Sequence, residues 1–152
     1  MKKIFITFAM AFTLLSSLAS CSKSDAQGSL IDTTMINSSS MTLTIGQKTF
    51  VANFSNTVAA AAFKAMLPLT LNMSELNGNE KLYDLPSALP SNHSNPGNIA
   101  SGDIMLYSTR TLVLFYKSFA TSYSYTRIAK ITNTEGLVEA LGTGNVTIGF
   151  AN

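Results

Sequence analysis

Apolar and polar residues alternate along several short segments from Met41 onwards, and a period of two indicates β-strands. The predicted strands are 41–45, 48–53, 69–76, 80–85, 103–107, 112–116, 125–131 and 145–150. Segment 112–116 (LVLFY) is apolar throughout, so we expect both of its faces to be covered. Gly46-Gln47 and Asn77-Gly78 separate two pairs of strands and predict tight hairpin turns. The pattern therefore predicts a mainly β domain.

One helix is predicted between the second and third strands. Residues 57–67 (TVAAAAFKAML) include four consecutive alanines, which favour a helix, and Pro68 ends it. We expect Ser55 or Asn56 to cap the first turn of this helix.

A second, shorter helix is predicted over 134–141, with Thr132 or Asn133 as its cap and Gly142 directly after its end. Residues 86–101 contain three of the chain's four prolines and predict a long irregular loop. About eight strands can close into a barrel that side chains fill. We therefore predict a closed eight-stranded β-barrel capped by two short helices.

The first 20 residues have the layout of an export signal. Lys2 and Lys3 precede an apolar run over 4–15, and small residues follow up to Cys21. The run is about a dozen residues, whereas a helix needs about 20 to cross a bilayer core. Leu-Ala-Ser-Cys at 18–21 resembles a bacterial lipoprotein signal, which implies cleavage before Cys21 and lipid attachment to its thiol.

Cys21 is the only cysteine, so it cannot form an internal disulfide, and acylation accounts for its presence. The alternative is an ordinary signal peptide with a chance cysteine. Stable anchoring requires more than one acyl chain, which a diacylated cysteine supplies. We therefore expect a membrane-anchored lipoprotein of the bacterial cell envelope, and Ser22 is compatible with the outer membrane.

Residues 21–40 are rich in Ser and Thr and predict a flexible tether, because they cannot bury enough apolar surface to fold alone. The alternative is a first edge strand, formed by Leu30, Ile31, Met35 and Ile36. The predicted organisation is a signal peptide at 1–20, a lipid-anchored tether at 21–40 and a folded domain at 41–152.

The charge balance argues against nucleic acid as a partner. The chain has ten basic and eight acidic side chains, and loss of Lys2 and Lys3 leaves eight of each sign. No basic patch is evident that would neutralise phosphates. Charged residues make up only 12% of the chain, so we expect a surface composed mainly of Ser, Thr and Asn.

Several segments together resemble the small bacterial cyclophilin-like domain proteins. They are IGQKTFVANF, NEKLYDLP, SGDIMLY, LVLFYKSFATSYSYTRIAKI and ALGTGNVTIGF. The resemblance spans about Met41 to Phe150, and its most specific part is the Gly-Asp strand followed by Leu-Val-Leu-Phe-Tyr. It implies a closed barrel with two capping helices, which agrees with the strand count.

The same resemblance raises the question of prolyl isomerase activity. True cyclophilins rotate the peptide bond before proline, and one motif contains an Arg, then a Phe, then a Gln, with a Trp and a His later. Phe115 lies five residues after Arg110, but Ser118 stands where the motif has Gln. The chain has no Trp, and its single histidine, His93, precedes these strands. We therefore assign no catalytic residue.

The candidate ligand-binding residues are Arg110, Phe115, Tyr116 and Arg127. By resemblance, the strand of Phe115 and Tyr116 corresponds to the cyclophilin strand that presents a Phe to the proline pocket. Both side chains could instead be ordinary barrel wall. Arg127 lacks a following Phe or Gln at the motif spacing.

A group of aromatic residues offers a second candidate surface, comprising Tyr107, Phe119, Tyr123 and Tyr125. Near Lys117 and Arg127, such a patch could bind a peptide or a glycan, because tyrosine rings bury area and keep a polar tip. The alternative is packing on strand faces.

Neither a metal site nor a cofactor is predicted. His93 has no second histidine as a companion, and a zinc site of the usual ligands needs more than one such group. Glu80, Asp84 and Asp103 could approach one another, but their spacing does not define an acid–base pair.

The preferred hypothesis is a lipid-anchored cyclophilin-like binding or accessory module that holds a peptide or an envelope protein and does not isomerise proline. One alternative is a weak prolyl isomerase or folding helper of the envelope. Another is a carrier that holds a small ligand in an outer groove, because the barrel interior is expected to be filled.

Overall fold

The computed structural model describes residues 39–152. The predicted signal peptide, Cys21, the possible edge strand at 30–36 and most of the predicted tether lie outside the described residues. The first strand begins at Ser40, the last residue of the predicted tether.

Eight strands form a closed antiparallel barrel, and two further strands pair separately. The elements are β1 (Ser40–Ile45), β2 (Lys48–Phe54), α1 (Val58–Lys64), β3 (Leu69–Leu76), β4 (Glu80–Asp84), β5 (Asn98–Ile99), β6 (Asp103–Tyr107), β7 (Thr111–Phe115), β8 (Phe119–Ala120), β9 (Tyr125–Ile131), α2 (Leu137–Leu141) and β10 (Val146–Ala151). The strand order around the barrel is β1-β10-β3-β4-β7-β6-β9-β2. The predicted closed eight-stranded barrel with two short helices is confirmed.

The Asn-Gly turn between β3 and β4 forms as predicted. Asn77 and Gly78 have φ angles of 56° and 68°, the left-handed values that a two-residue hairpin turn requires. The amide of Asn79 donates to the carbonyl of Leu76 at 3.3 Å and closes the turn. The turn sets the register of β4, and therefore decides which of its side chains face outward.

Helix α1 is capped by Thr57, not by Ser55 or Asn56. Thr57 has an extended backbone, and its Oγ1 accepts a hydrogen bond from the amide of Ala60 at 3.0 Å. The same hydroxyl donates to the carbonyl of Arg127 at 2.8 Å, which ties the helix to β9. This contact to a distant strand favours Thr57 and cannot be read from the local sequence.

Helix α2 is shorter than predicted and begins after Gly136, whose φ is 74°. Neither Thr132 nor Asn133 caps it, because Asn133 Oδ1 accepts from the amide of Glu135 in the turn that precedes the helix. Gly142 follows the end of the helix as predicted, with φ 59°.

The barrel interior is filled by inward-facing apolar side chains. They include Met41, Leu43, Ile45, Phe50, Ala52, Leu71, Met73, Ile104, Leu106, Leu112, Leu114, Ile128, Ile131, Ile148 and Phe150. Phe63 of α1 packs edge-on against Phe150 with 5.9 Å between ring centroids. Leu137 and Leu141 of α2 join the same core.

A second apolar cluster covers the outer face of β7. Val113 and Phe115 point outward, opposite to Leu112 and Leu114, and are buried. The cluster is completed by Ile99, Met105 and Tyr125, with Leu82 and Phe119 packed against it. Both faces of β7 are therefore covered, as predicted. The covering layer is the β5–β8 pair, which gives part of the predicted irregular loop a regular structure.

Neither helix within residues 39–152 has the length and apolar character needed to span a bilayer.

Truncation of the ring that joins α1 to the barrel tests this packing. Phe63 is fully buried, so Phe63→Ala is expected to lower the free energy of unfolding by about 3–5 kcal/mol, measured by chemical denaturation. Val58 of the same helix is 72% exposed, and Val58→Ala is the control, expected to change stability by less than about 0.5 kcal/mol. Equal effects of the two substitutions would contradict the packing of α1.

Candidate functional site

A groove runs along the outer wall of the barrel beside β4. Alternation along this strand points Lys81 and Tyr83 inward and leaves Glu80, Leu82 and Asp84 facing outward. The groove has a volume of about 470 Å³, within the range of small-ligand sites. Its lining residues are Leu76, Asn77, Asn79, Glu80, Leu82, Asp84, Tyr107, Thr111, Val113, Phe119, Tyr123 and Tyr125.

The far wall of the groove is built on a chain of five aromatic rings. Tyr107 contacts Tyr123 and Tyr125 with centroid distances of 6.1 and 5.7 Å. Phe115 contacts Tyr125 and Phe119 at 5.5 and 5.7 Å. Edge-on and tilted contacts between rings are favourable, and here they hold each ring against its neighbour. Tyr107 and Tyr123 remain 44% and 61% exposed, so these rings are accessible to a ligand.

The charged residues that line the groove are both acidic. Glu80 is partly buried, and its side chain forms no ion pair or hydrogen bond with any residue in 39–152. Burial raises the pKa of the Glu80 carboxyl, and the nearby charge of Glu75 raises it further. Burial, together with the charge of Glu80, raises the pKa of Tyr125. Asp84 accepts a hydrogen bond from Thr111 Oγ1 at 2.5 Å.

Arg110 does not line this groove; its guanidinium holds the chain that follows β4. Its Nε donates to the carbonyl of Leu85 at 3.0 Å, and its Nη2 donates to the carbonyl of Pro86 at 2.8 Å. In return, the amide of Leu85 donates to the carbonyl of Arg110 at 2.9 Å. These bonds fix the start of the segment that leads to β5.

Arg127 lies beside a buried carboxylate on another part of the barrel wall. Its Nη1 is 4.0 Å from Asp103 Oδ1, and its side chain is 51% exposed. Asp103 is almost fully buried and is held more closely by Lys130 Nζ at 2.7 Å and by the amide of Ala100 at 2.9 Å. Arg127 therefore belongs to a charge cluster around Asp103, and it is not among the residues that line the groove.

Phe115 and Tyr116 face opposite sides of the barrel wall. Phe115 is fully buried in the outer cluster and supports the rings that line the groove. Tyr116 belongs to the interior core, and its hydroxyl donates to both carboxylate oxygens of Glu75 at 2.9 Å. The structure therefore does not bring Arg110, Phe115, Tyr116 and Arg127 together.

A buried polar cluster closes one end of the barrel interior. Lys81 is fully buried and forms an ion pair with Glu75, and it donates to the carbonyls of Gly142 and Gly144 at 3.0 and 2.6 Å. Burial alone would raise the pKa of Glu75, but the bonds from Lys81 and Tyr116 and the charge of Lys81 outweigh it and hold the pKa below its usual value. Burial and the Glu75 contact raise the pKa of Tyr116 to about 12. The cluster ties the turn after α2 to the β3–β4 hairpin.

The four aromatic residues grouped from the sequence, at 107, 119, 123 and 125, all line the groove. Lys117 and Arg127 were predicted beside them, but the charged residues that line the groove are Glu80 and Asp84. Alternation along residues 80–84 was a usable signal, because it places Glu80, Leu82 and Asp84 on one face. Asp103, the third acid considered with them, lies with Lys130 instead.

In the part of the chain that the structure describes, no three His, Cys, Asp or Glu side chains lie close enough together to hold a metal ion. His93 is exposed, and its Nδ1 lies 3.2 Å from the hydroxyl of Thr126.

Comparison with protein families supports the architecture. A family model described as the cyclophilin-like family matches residues 43–151, nearly the whole of the described domain. No curated protein matches the chain.

The buried cluster can be tested separately from the groove. Lys81→Met leaves Glu75 and the carbonyls of Gly142 and Gly144 without their cation, so we expect a loss of about 3–5 kcal/mol in unfolding free energy. Lys117 is exposed, and Lys117→Met serves as the control, with little expected effect. Because the two partners are coupled, Lys81→Met combined with Glu75→Gln should cost less than the sum of the single changes. A loss below about 1 kcal/mol for Lys81→Met would contradict this role.

Proposed function

The chain belongs to the cyclophilin-like family, and we propose that it is a ligand-binding module of the bacterial cell envelope, anchored by a lipid on Cys21 and without prolyl isomerase activity. The observation that carries the proposal is the composition of the outer groove. It is lined by aromatic rings and two carboxylates, and its lining residues, all within 39–152, include no arginine or lysine.

In true cyclophilins an arginine guanidinium donates to the proline nitrogen during rotation of the prolyl bond, and no arginine lines the groove. The barrier of about 18–20 kcal/mol comes from amide resonance, and a donor aimed at the proline nitrogen weakens that resonance. Arg110 and Arg127 are the only arginines in the sequence. The first is bound to backbone carbonyls and the second lies beside Asp103. An ionised carboxylate accepts hydrogen bonds and cannot take the place of a guanidinium.

Binding is supported by the shape and rigidity of the groove. The barrel interior is filled, so a ligand must lie on the outer wall. The groove extends along the whole of β4, from Leu76 and Asn77 at the hairpin to Asp84 and Thr111 at the opposite end. An open groove of this length suits an extended peptide better than a compact ligand, because a five-residue strand spans about 16 Å.

The anchor is proposed from the sequence alone. Leu-Ala-Ser-Cys at 18–21, after an apolar run and two lysines, is the pattern that a lipid-modified cysteine requires. Attachment there would hold the groove at a membrane surface, where exported peptides and envelope proteins are available as ligands.

A single NMR experiment separates binding from isomerisation. We expect unlabelled X-Pro peptides to shift the amide signals of groove residues such as Val113 and Tyr125 in the full chain, held in non-ionic detergent. We expect the X-Pro bond of the peptide to exchange between cis and trans no faster than without the protein, since no guanidinium faces the groove. An active prolyl isomerase is the positive control. Exchange that disappears in Arg110→Ala or Arg127→Ala would overturn the proposal.

The anchor is tested with Cys21→Ser. The wild-type chain is expected in the membrane fraction of a bacterial host and to incorporate labelled fatty acid, whereas the variant should lose the label and leave the membrane fraction. Unchanged membrane association and labelling of the variant would exclude Cys21 as the attachment site.

A further inference from the structure

We propose that the groove selects an extended peptide with basic side chains, with Glu80 and Asp84 as the anchors for two positive charges and the exposed tyrosine rings as a stacking surface. This inference rests on the proposed binding function and specifies its ligand.

The negative charge of the groove is not balanced by the protein itself. Two other acidic side chains packed against the barrel have cationic neighbours, namely Glu75 with Lys81, and Asp103 with Lys130 and Arg127, whereas Glu135 and Glu139 are exposed in or near α2. Neither Glu80 nor Asp84 takes part in an ion pair within residues 39–152. Acidic groups in a concave, partly apolar surface attract and retain positively charged ligands more strongly than the same groups on an open surface.

Glu80 is partly buried, whereas Asp84 is exposed. The titratable groups that interact electrostatically with Glu80 are Glu75 on β3, Tyr116 directly after β7 and Tyr125 on β9, and none of them is positively charged. Burial and the charge of Glu75 raise its pKa, so its ionised form is disfavoured in the folded protein. A ligand cation would remove this penalty, and the recovered energy would appear as affinity.

The spacing of the two carboxylates fits an extended peptide. Glu80 and Asp84 lie on the same face of one strand, four residues apart, which corresponds to about 13 Å. A peptide extended alongside β4 has the same repeat, so basic residues four positions apart would reach both carboxylates. Tyr107 and Tyr123 are exposed at the groove, where a guanidinium can stack on a ring face. Arginine is therefore preferred over lysine.

The chain's own N-terminal region does not supply a complementary charge. Residues 22–38 contain one lysine, Lys23, and two aspartates, Asp25 and Asp32. A separate peptide is therefore the occupant that the charge of the groove favours. A neutral glycan would use the rings but not the carboxylates, and this difference can be measured.

The test is calorimetric titration of the full chain, in non-ionic detergent, with three matched peptides. The first has two arginines four positions apart in a Gly/Ser background, the second has citrulline at both positions, and the third has glutamate. We expect the arginine peptide to bind at least about tenfold more tightly than the citrulline peptide, because hydrogen bonds between charged groups are stronger than those of a neutral donor. The glutamate peptide should not bind.

The variants Glu80→Gln and Asp84→Asn test whether the groove is the site at which the arginine peptide binds. Glu80→Gln should weaken binding of the arginine peptide by about tenfold and leave binding of the citrulline peptide unchanged. Glu135 is an exposed acid near α2, and Glu135→Gln has the same change in charge with no expected effect. Glu80→Gln should also melt at a higher temperature than wild type at neutral pH. The difference should vanish below pH about 4, because the cost of ionising Glu80 appears only as the pH rises above the ordinary glutamate pKa of the unfolded chain.

The outcomes distinguish this inference from the binding function beneath it. Equal affinity for the arginine and citrulline peptides, or equal effects of Glu80→Gln and Glu135→Gln, would overturn the choice of a basic ligand and leave a neutral groove binder. Binding of a neutral oligosaccharide that Tyr123→Ala abolishes would point to a glycan instead. If neither the peptides nor the oligosaccharide bind at millimolar concentration, both the inference and the binding function fail.

Discussion

The pairing of β1 with both β2 and β10 is the constraint on which the rest of the structure depends. Leu43 lies opposite Phe50 on one side and Phe150 on the other, so the first strand joins the last and the described sheet closes on itself. Closure removes the free strand edges and directs every second side chain into one filled core. The outer wall is therefore the surface left for recognition, and it can vary without disturbing the core.

Two glutamates on the β3–β4 hairpin face opposite sides of the barrel wall, and only the inward-facing one stabilises the fold. Glu75 points inward, meets Lys81 and Tyr116, and has a lowered pKa. Glu80 lies five residues later, faces the groove without a cation, and has a raised pKa. The ionised form of Glu75 therefore stabilises the folded protein, whereas the ionised form of Glu80 destabilises it. An uncompensated carboxylate in a cleft is typical of a functional site.

The sequence predicted most of the fold, because alternation and turn residues are local signals. The Asn77-Gly78 turn formed with the expected left-handed angles, and Gly142 ended α2 as expected. The cap of α1 was wrong, since Thr57 is selected by a bond to the carbonyl of Arg127, which lies 70 residues away. The candidate site was predicted only in part: the aromatic residues were grouped, but their acidic neighbours on β4 were not assigned to them.

The sequence by itself determined a closed β-barrel with two short helices and a likeness to cyclophilins, because these depend on periodicity, turn residues and short motifs. Only the tertiary structure decided that the arginines lie away from the aromatic groove and that Glu80 and Asp84 line it. The reason is physical: alternation shows which side chains share a face, whereas the pairing of β4 with β7 and the β5–β8 cover decide what that face meets.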